Sequence, residues 1–132
     1  GVHSEKTKFA TIRFGNVMDS RGNVFEIWNE ELKKKKPVSI THPLAERYFF
    51  QTEEATNFIL KCLPLVNTGE IFVPKMKLYK IKDLAKKYSK KYKIIGLRQG
   101  EKIKEELITQ RERKSAVEKK DMWIINSYIN KQ

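Results

Sequence analysis

Apolar residues recur along the first third of the chain with two different periods, one typical of strands and the other of helices. Residues 9–14 alternate in the manner of a strand and end at a Gly-Asn turn signal. From a capping residue, Asn23, apolar side chains then recur at helical spacing until Pro37 prevents the helix from continuing. Residues 38–41 form a second short strand that ends at a His-Pro pair. The pattern predicts a strand, a helix and a strand in that order.

The remaining chain repeats this alternation of short extended runs and amphipathic helices. The expected elements are an extended run over 48–50, a helix from Thr52 that Pro64 ends, a strand over 70–74, a helix over Ile81 to Tyr88, a strand over 93–97 and a short helix near Glu101. Residues 122–125 are expected to form either a final strand or an anchoring segment. Strands that alternate with helices indicate an α/β chain, or an α+β chain for a fragment of this length.

Length and composition limit the class of protein. The chain has 132 residues, of which 39% are apolar and 11% aromatic, which suits one domain with a modest core and argues against disorder. The longest apolar stretches fall far short of the roughly 18–20 residues of a membrane span, and no signal peptide is expected. One cysteine and two histidines exclude an internal disulfide and a four-ligand zinc site. We expect a cytoplasmic protein without a structural metal, in which Cys62 is buried.

The net charge of +12 leaves a second class of protein open. A strongly basic chain suits a polyanion partner, so one alternative is a small nucleic-acid-binding module. Most of the cations are lysines spread along the chain, however, and the one run, Lys33 to Lys36, falls in the predicted last turn of a helix, where cations complement the helix dipole. A solvated helix end therefore explains the run, and we expect no nucleic-acid partner.

Candidate chemistry is sparse, since the sequence contains no Gly-x-x-Gly-x-x-Gly loop, Walker loop or Gly-x-Ser-x-Gly elbow. Composition and spacing alone indicate no catalytic residues. Arg98 lies between a predicted strand and Gly100, and Arg47 follows a loop that contains proline, positions that suit phosphate contact by a planar guanidinium. Glu101 is placed to accept hydrogen bonds from ribose hydroxyls. The alternative for each arginine is an ordinary surface ion pair.

Several short segments together carry a resemblance to a known family. In chain order they are Arg13-Phe-Gly-Asn-Val-Met, Ser20-Arg-Gly-Asn-Val, Pro37-Val-Ser-Ile-Thr-His-Pro, Glu46-Arg-Tyr-Phe-Phe, Gly69-Glu-Ile-Phe-Val-Pro-Lys-Met and Gly96-Leu-Arg-Gln-Gly-Glu-Lys, then Glu105-Glu-Leu-Ile-Thr. From about residue 9 to about residue 125, the chain resembles the C-terminal third of the UDP-N-acetylglucosamine 4,6-dehydratase family of polysaccharide biosynthesis, which belongs to the extended short-chain dehydrogenase/reductases.

The resemblance implies that the whole chain, 1–132, is the substrate-binding part of an enzyme whose Rossmann half carries NAD(P) and lies elsewhere. It also implies ligand contacts for seven residues. These are Asn16 and the arginines Arg47 and Arg98 at the diphosphate, Val24 facing the nucleotide, Ile40 and Thr41 with their backbone at the uracil, and Glu101 at the ribose. The expected partners are thus a UDP-sugar and the cofactor-binding half.

Departures from the family pattern set the limits of this interpretation. The family's Tyr-x-x-x-Lys and Asp-Lys pairs are absent, so we expect no catalytic residue, no bound cofactor and no activity in this chain alone. Asp19 and Gln99 also replace the family's usual glycine and proline. The predicted strand 9–14 would belong to the main sheet of the parent enzyme. Without the upstream part of that sheet, this chain would have an exposed strand edge, which favours a homo-oligomer. Some relatives carry membrane spans, so membrane association of the parent enzyme stays open. A further alternative is that this chain is an interaction protein that completes a separately encoded cofactor-binding partner.

Overall fold

The computed structural model of the protein describes residues 6–126. These residues form β1 (Thr11–Ile12), β2 (Asn16–Val17), α1 (Val24–Lys33), β3 (Val38–Ile40), β4 (Glu46–Phe50), α2 (Thr52–Cys62), a 3-10 turn (Leu63–Leu65), β5 (Glu70–Pro74), β6 (Lys77–Lys80), α3 (Ile81–Tyr88), β7 (Tyr92–Ile94), α4 (Gln110–Ser115), β8 (Val117–Glu118) and β9 (Met122–Asn126). The α/β class predicted from the sequence is confirmed. The described residues divide into two compact units: unit 1 takes 6–14, 53–75 and 106–126, and unit 2 takes 15–52 and 76–105.

Unit 1 is built on a four-stranded sheet in the order β1-β5-β9-β8. β1 runs parallel to β5, whereas the other two pairings are antiparallel. The apolar face of α2 buries Phe58 and Cys62, and β5 buries Phe72 and Val73. Cys62 is 1% exposed, which confirms its predicted burial, and desolvation raises the pKa of its thiol to about 11. This burial and raised pKa are typical of a cysteine that packs in a core.

Unit 2 contains a three-stranded sheet in the order β2-β4-β6 and a parallel pair, β3-β7. The buried residues Trp28 of α1, Phe49 of β4 and Leu84 of α3 belong to one core cluster. The indole nitrogen of Trp28 donates to the carbonyl of Ser39 at 2.6 Å, which ties α1 to β3. Burial of a large aromatic ring with a satisfied N–H fixes the helix against this strand.

The structure corrects some of the expected elements. No helix forms near Glu101, where the chain makes a turn and then a single bridge between Glu46 and Lys104. The strand expected over 93–97 lies instead at Tyr92–Ile94, and the strand expected over 9–14 shortens to Thr11–Ile12. The expected elements omit four that form, namely β2, β6, α4 and β8.

Candidate functional site

A cavity of about 490 Å³ lies in unit 2. Its lining includes every residue for which the resemblance implies a ligand contact: Asn16, Val24, Ile40, Thr41, Arg47, Arg98 and Glu101. They come from β2, the first turn of α1, the end of β3, β4 and the loop that follows β7. The fold thus brings together residues that are scattered over much of the sequence, while their contacts with a ligand remain a prediction.

The apolar lining of the cavity includes residues of β3 and of the start of α1, together with Phe49 of β4 and Ile81 of α3. Asn23 caps α1 as predicted, since its side chain accepts from the N–H of Glu26 at 3.1 Å, and this cap places Val24 at the first helical position. Ile40 is 1% exposed, and its carbonyl accepts from the N–H of Ile95 at 2.9 Å. Ile40 and Thr41 both line the cavity at the end of this strand.

Arg47 fastens the loop after β7 to strand β4. Its Nη1 donates to the carbonyls of Glu46 at 2.8 Å and Ile103 at 2.9 Å. Its Nη2 donates to the carbonyl of Lys102 at 2.7 Å and to Oε2 of Glu101 at 3.1 Å. The side chains of Arg47 and Glu101 are each 19% exposed. Both terminal nitrogens of Arg47 therefore form hydrogen bonds within the protein, and these bonds stabilise the loop after β7.

Glu101 accepts hydrogen bonds from three donors, the side chains of Arg47 and Thr41 and the main-chain N–H of Arg98. Thr41 donates its hydroxyl to Oε2 at 2.6 Å, and the Arg98 N–H approaches Oε1 at 3.3 Å. Desolvation by itself would raise the pKa of Glu101, but these bonds and the charges of Arg47 and Arg98 outweigh it and lower that pKa. Glu101 is therefore a carboxylate at neutral pH and can accept further bonds from ligand hydroxyls.

Arg98 differs from Arg47 in its surroundings. Among residues 6–126, no side chain forms an ion pair or hydrogen bond with its guanidinium. The loop around it turns at Gly96 and Gly100, whose φ angles of +88° and +78° favour glycine. Arg98 therefore presents an exposed cation at the cavity, carried by a loop that Arg47 and Glu101 hold in place.

Asn16 lies at another wall of the cavity, where β2 approaches β4 closely. A Cβ added at Gly15 would lie 2.8 Å from both the Cβ and the carbonyl oxygen of Tyr48, so only glycine allows this approach. The Asn16 amide nitrogen donates to the Tyr48 carbonyl at 3.0 Å and to Oε2 of Glu105 at 3.2 Å. Glu105 was not singled out from the sequence, although it begins the last of the family-like segments.

The chemistry of the lining suits binding better than proton transfer. In the described part of the chain, the lining holds one carboxylate, two guanidinium groups, amides and hydroxyls, without any histidine, cysteine, tyrosine or lysine. Cations with planar donors fit a diphosphate, a carboxylate fits a pair of hydroxyls, and the apolar wall fits a flat ring. Together these groups match the parts of a nucleoside diphosphate.

Known proteins are similar to this chain in both sequence and fold. Residues 2–127 match the family described as polysaccharide biosynthesis protein. The X-ray structure of Pen from Bacillus thuringiensis superposes with a TM-score of 0.85 at 33% identity, covering 92% of this chain and 41% of that one. The agreement extends over nearly the whole chain, so it covers both units.

Three proteins with similar sequences carry different names. The chain is 41% identical to the uncharacterized membrane protein MJ1061 of Methanocaldococcus jannaschii, 40% identical to the capsular polysaccharide biosynthesis protein CapD of Staphylococcus aureus, and 35% identical to a UDP-N-acetylglucosamine 4,6-dehydratase (inverting) of Campylobacter jejuni. These alignments cover 93%, 83% and 80% of this chain but only 41%, 20% and 33% of the relatives. The chain thus spans less than half the length of each.

None of the helices in residues 6–126 has the length and apolar character needed to cross a membrane.

Proposed function

Because the chain belongs to the polysaccharide biosynthesis protein family, we propose that it is the UDP-sugar-binding part of an NAD(P)-dependent nucleotide-sugar 4,6-dehydratase or epimerase. The observation that carries this proposal is the convergence of all seven expected contact residues on one cavity of unit 2. Relatives named UDP-N-acetylglucosamine 4,6-dehydratase and UDP-glucose 4-epimerase support the substrate class.

In this proposal the polar groups of the cavity divide the nucleotide between them. Arg98 binds the diphosphate directly, with a charge-assisted hydrogen bond of roughly 1.5–3 kcal/mol. Arg47 adds positive charge and keeps the loop that carries Arg98 in place. Glu101 accepts from the ribose hydroxyls, and the main chain of Thr41 meets the uracil ring against the apolar wall. The chain contributes to the reaction by orienting the sugar.

NAD(P) does not fit the residues of this chain. A dinucleotide is cradled by a Gly-x-Gly-x-x-Gly loop between a strand and a helix, and the sequence has no such spacing. Helix α1 opens after one glycine, Gly22, and its first turn is capped by Asn23. In the proposal, the cofactor and the proton-transfer residues therefore belong to a part of the full-length protein outside this chain, and the isolated chain is inactive.

Calorimetric titration of UDP into the full-length protein tests the proposal. We expect saturable binding with one site per protomer, and a 4-keto product from UDP-N-acetylglucosamine with the full-length protein but not with the isolated chain and NAD⁺. Absence of UDP binding would overturn the proposal. Binding of duplex DNA with a steep salt dependence would instead favour the nucleic-acid-binding alternative.

A further inference from the structure

We propose that Glu105 is a positioning residue that turns the Asn16 amide so that only its carbonyl oxygen, Oδ1, can meet the ligand. Asn16 would then read a hydrogen-bond donor on the sugar of a UDP-sugar. Because it rests on the proposed function, this inference deepens that function and does not replace it. It departs from the role that the family resemblance implies, contact of Asn16 with the diphosphate, since phosphate oxygens accept hydrogen bonds and cannot donate them.

The two N–H groups of the Asn16 amide are both committed inside the protein. One reaches the carbonyl of Tyr48 at 3.0 Å and the other reaches Oε2 of Glu105 at 3.2 Å. Both partners are acceptors, one the main-chain carbonyl of Tyr48 and the other a side-chain oxygen of Glu105 that also accepts from the N–H of Tyr48. The opposite orientation would place Oδ1 against two acceptors, so the chemistry of the neighbours decides which end of the amide is the nitrogen.

Glu105 is itself held in place by strand β4. Its Oε2 accepts from the N–H of Tyr48 at 2.8 Å, and its own N–H donates to the carbonyl of Glu46 at 3.3 Å. The bridge between Glu46 and Lys104 lies directly beside it. Because the carboxylate is tied at both its main chain and its side chain, it presents a fixed acceptor to Asn16.

Oδ1 of Asn16 is then the polar atom of this side chain that remains for a ligand. Among residues 6–126, no group donates a hydrogen bond to Oδ1 of Asn16. Every fully buried side-chain nitrogen or oxygen in this part of the chain has a hydrogen-bond partner. Because Oδ1 has none, it is not fully buried and is accessible to a ligand. Asn16 lines the cavity. Of the donors on a UDP-sugar, the ribose hydroxyls have an acceptor in Glu101, and the uracil lies with the main chain of Thr41 in the proposed function. A hydroxyl or amide N–H of the sugar is left for Asn16.

Comparison of two ligands, UDP and UDP-N-acetylglucosamine, tests this inference in the full-length protein. We expect Asn16→Ala and Glu105→Ala each to weaken binding of UDP-N-acetylglucosamine about tenfold, the size of one lost hydrogen bond, and to change binding of UDP by less than about twofold. Glu105→Gln keeps an acceptor for both Asn16 and Tyr48, so it should bind both ligands within about twofold of the wild type.

Each other result has a definite meaning. Equal losses for the two ligands in Asn16→Ala would place Asn16 at the nucleotide and overturn the inference. An unaffected Glu105→Ala beside a weakened Asn16→Ala would remove the positioning role. If Glu105→Ala does not fold, two other measurements test the inference. Glu105→Gln should bind both ligands as the wild type does, and Asn16→Ala should lose affinity for UDP-N-acetylglucosamine but not for UDP. A wild-type protein that binds neither ligand would overturn the proposed function itself, a result distinct from all the others.

Discussion

Arg13 in unit 1 and Arg47 in unit 2 each join a glutamate to a main-chain carbonyl that is distant in the sequence. Arg13 donates from Nη1 and Nη2 to the two oxygens of Glu112 at 3.0 Å each, and from Nη1 to the carbonyl of Leu107 at 3.0 Å. Arg47 reaches Glu101 at 3.1 Å and the carbonyl of Ile103 at 2.9 Å. By donor and acceptor chemistry alone, the two arrangements are alike.

What surrounds each pair differs. Glu112 closes a capping box with Thr109 at the start of α4, so the pair in unit 1 completes a helix terminus. The pair in unit 2 lies in the wall of a cavity, beside an arginine, Arg98, whose guanidinium forms no ion pair or hydrogen bond with a side chain of residues 6–126. An ion pair by itself therefore does not indicate a binding site. A charged side chain that lines a cavity and has no ion-pair partner within the protein does indicate one.

Replacement of Arg98 is expected to have the largest effect on binding. Arg98→Ala should weaken UDP binding about ten- to a hundredfold, because it removes a charge-assisted hydrogen bond to the diphosphate, and calorimetry measures this loss. Arg47→Ala should produce a loss of similar size by releasing the loop. Lysine at either position should restore only part of the affinity, since a point charge lacks the guanidinium geometry.

A matched control for these two variants is Arg111→Ala, which removes an exposed arginine from α4 in unit 1. It should leave UDP affinity unchanged. Equal losses from Arg111→Ala and Arg98→Ala would mean that UDP affinity depends on total charge, and would contradict the proposed contact of Arg98 with the diphosphate.

Replacement of Arg13 should affect folding and not binding. Arg13→Ala is expected to lower the free energy of unfolding by roughly 1–2 kcal/mol, a value reduced for the partial exposure of the pair. Denaturant unfolding measures it, and UDP affinity should stay at the wild-type level. A loss of UDP affinity without a loss of stability would erase the distinction between the two pairs.

Acid should weaken unit 1 through the same pair. The hydrogen bonds from Arg13 and from the N–H of Thr109 lower the pKa of Glu112 from 4.5 to about 2. Because this pKa is depressed by folding, the contribution of Glu112 to stability is complete above pH 4.5 and is lost as the pH falls towards 2. Unfolding measured across this range should show a steeper loss for the wild type than for Glu112→Gln. Parallel curves would contradict this role.

A smaller effect is expected from Glu101→Gln. Glutamine keeps an acceptor for the ribose hydroxyls and for Thr41, but it loses the charge that pairs with Arg47. UDP affinity should therefore fall about two- to fivefold, less than in either arginine variant. A loss as large as that of Arg98→Ala would show that the charge of Glu101, and not its acceptor oxygens, matters most.

The smallest effect is expected from the lysine run. Lys33 lies in the last turn of α1 and pairs with Glu30 at 3.4 Å on the exposed surface, and Lys34 is the C-cap. Replacing Lys33 to Lys36 by glutamine should change UDP affinity by less than about twofold, since exposed charges are screened. If this variant loses UDP while the arginine variants keep it, the polyanion-binding alternative takes precedence.

Local sequence signals were sufficient wherever a side chain and the backbone it controls lie within one turn. The Asn23 cap, the strand Glu70–Pro74 and the helix Ile81–Tyr88 form at the predicted positions. The helix α4 also carries a local signal, the capping box of Thr109 and Glu112, which the predicted elements overlooked. The seven residues named from the family-like segments likewise line one cavity of unit 2.

Only the tertiary structure decided the elements whose hydrogen bonds come from far along the chain. The helix expected near Glu101 does not form, because Arg47 captures the carbonyls of Lys102 and Ile103, the latter 56 residues away. Strands β2 and β6 are two and four residues long, and both form by pairing with β4, which no local period reveals. The role of Glu105 depends in the same way on Asn16, 89 residues before it. Sequence spacing encodes period and caps, whereas the partner of a long-range hydrogen bond is fixed only when the folded backbone brings the two groups within 3 Å or so.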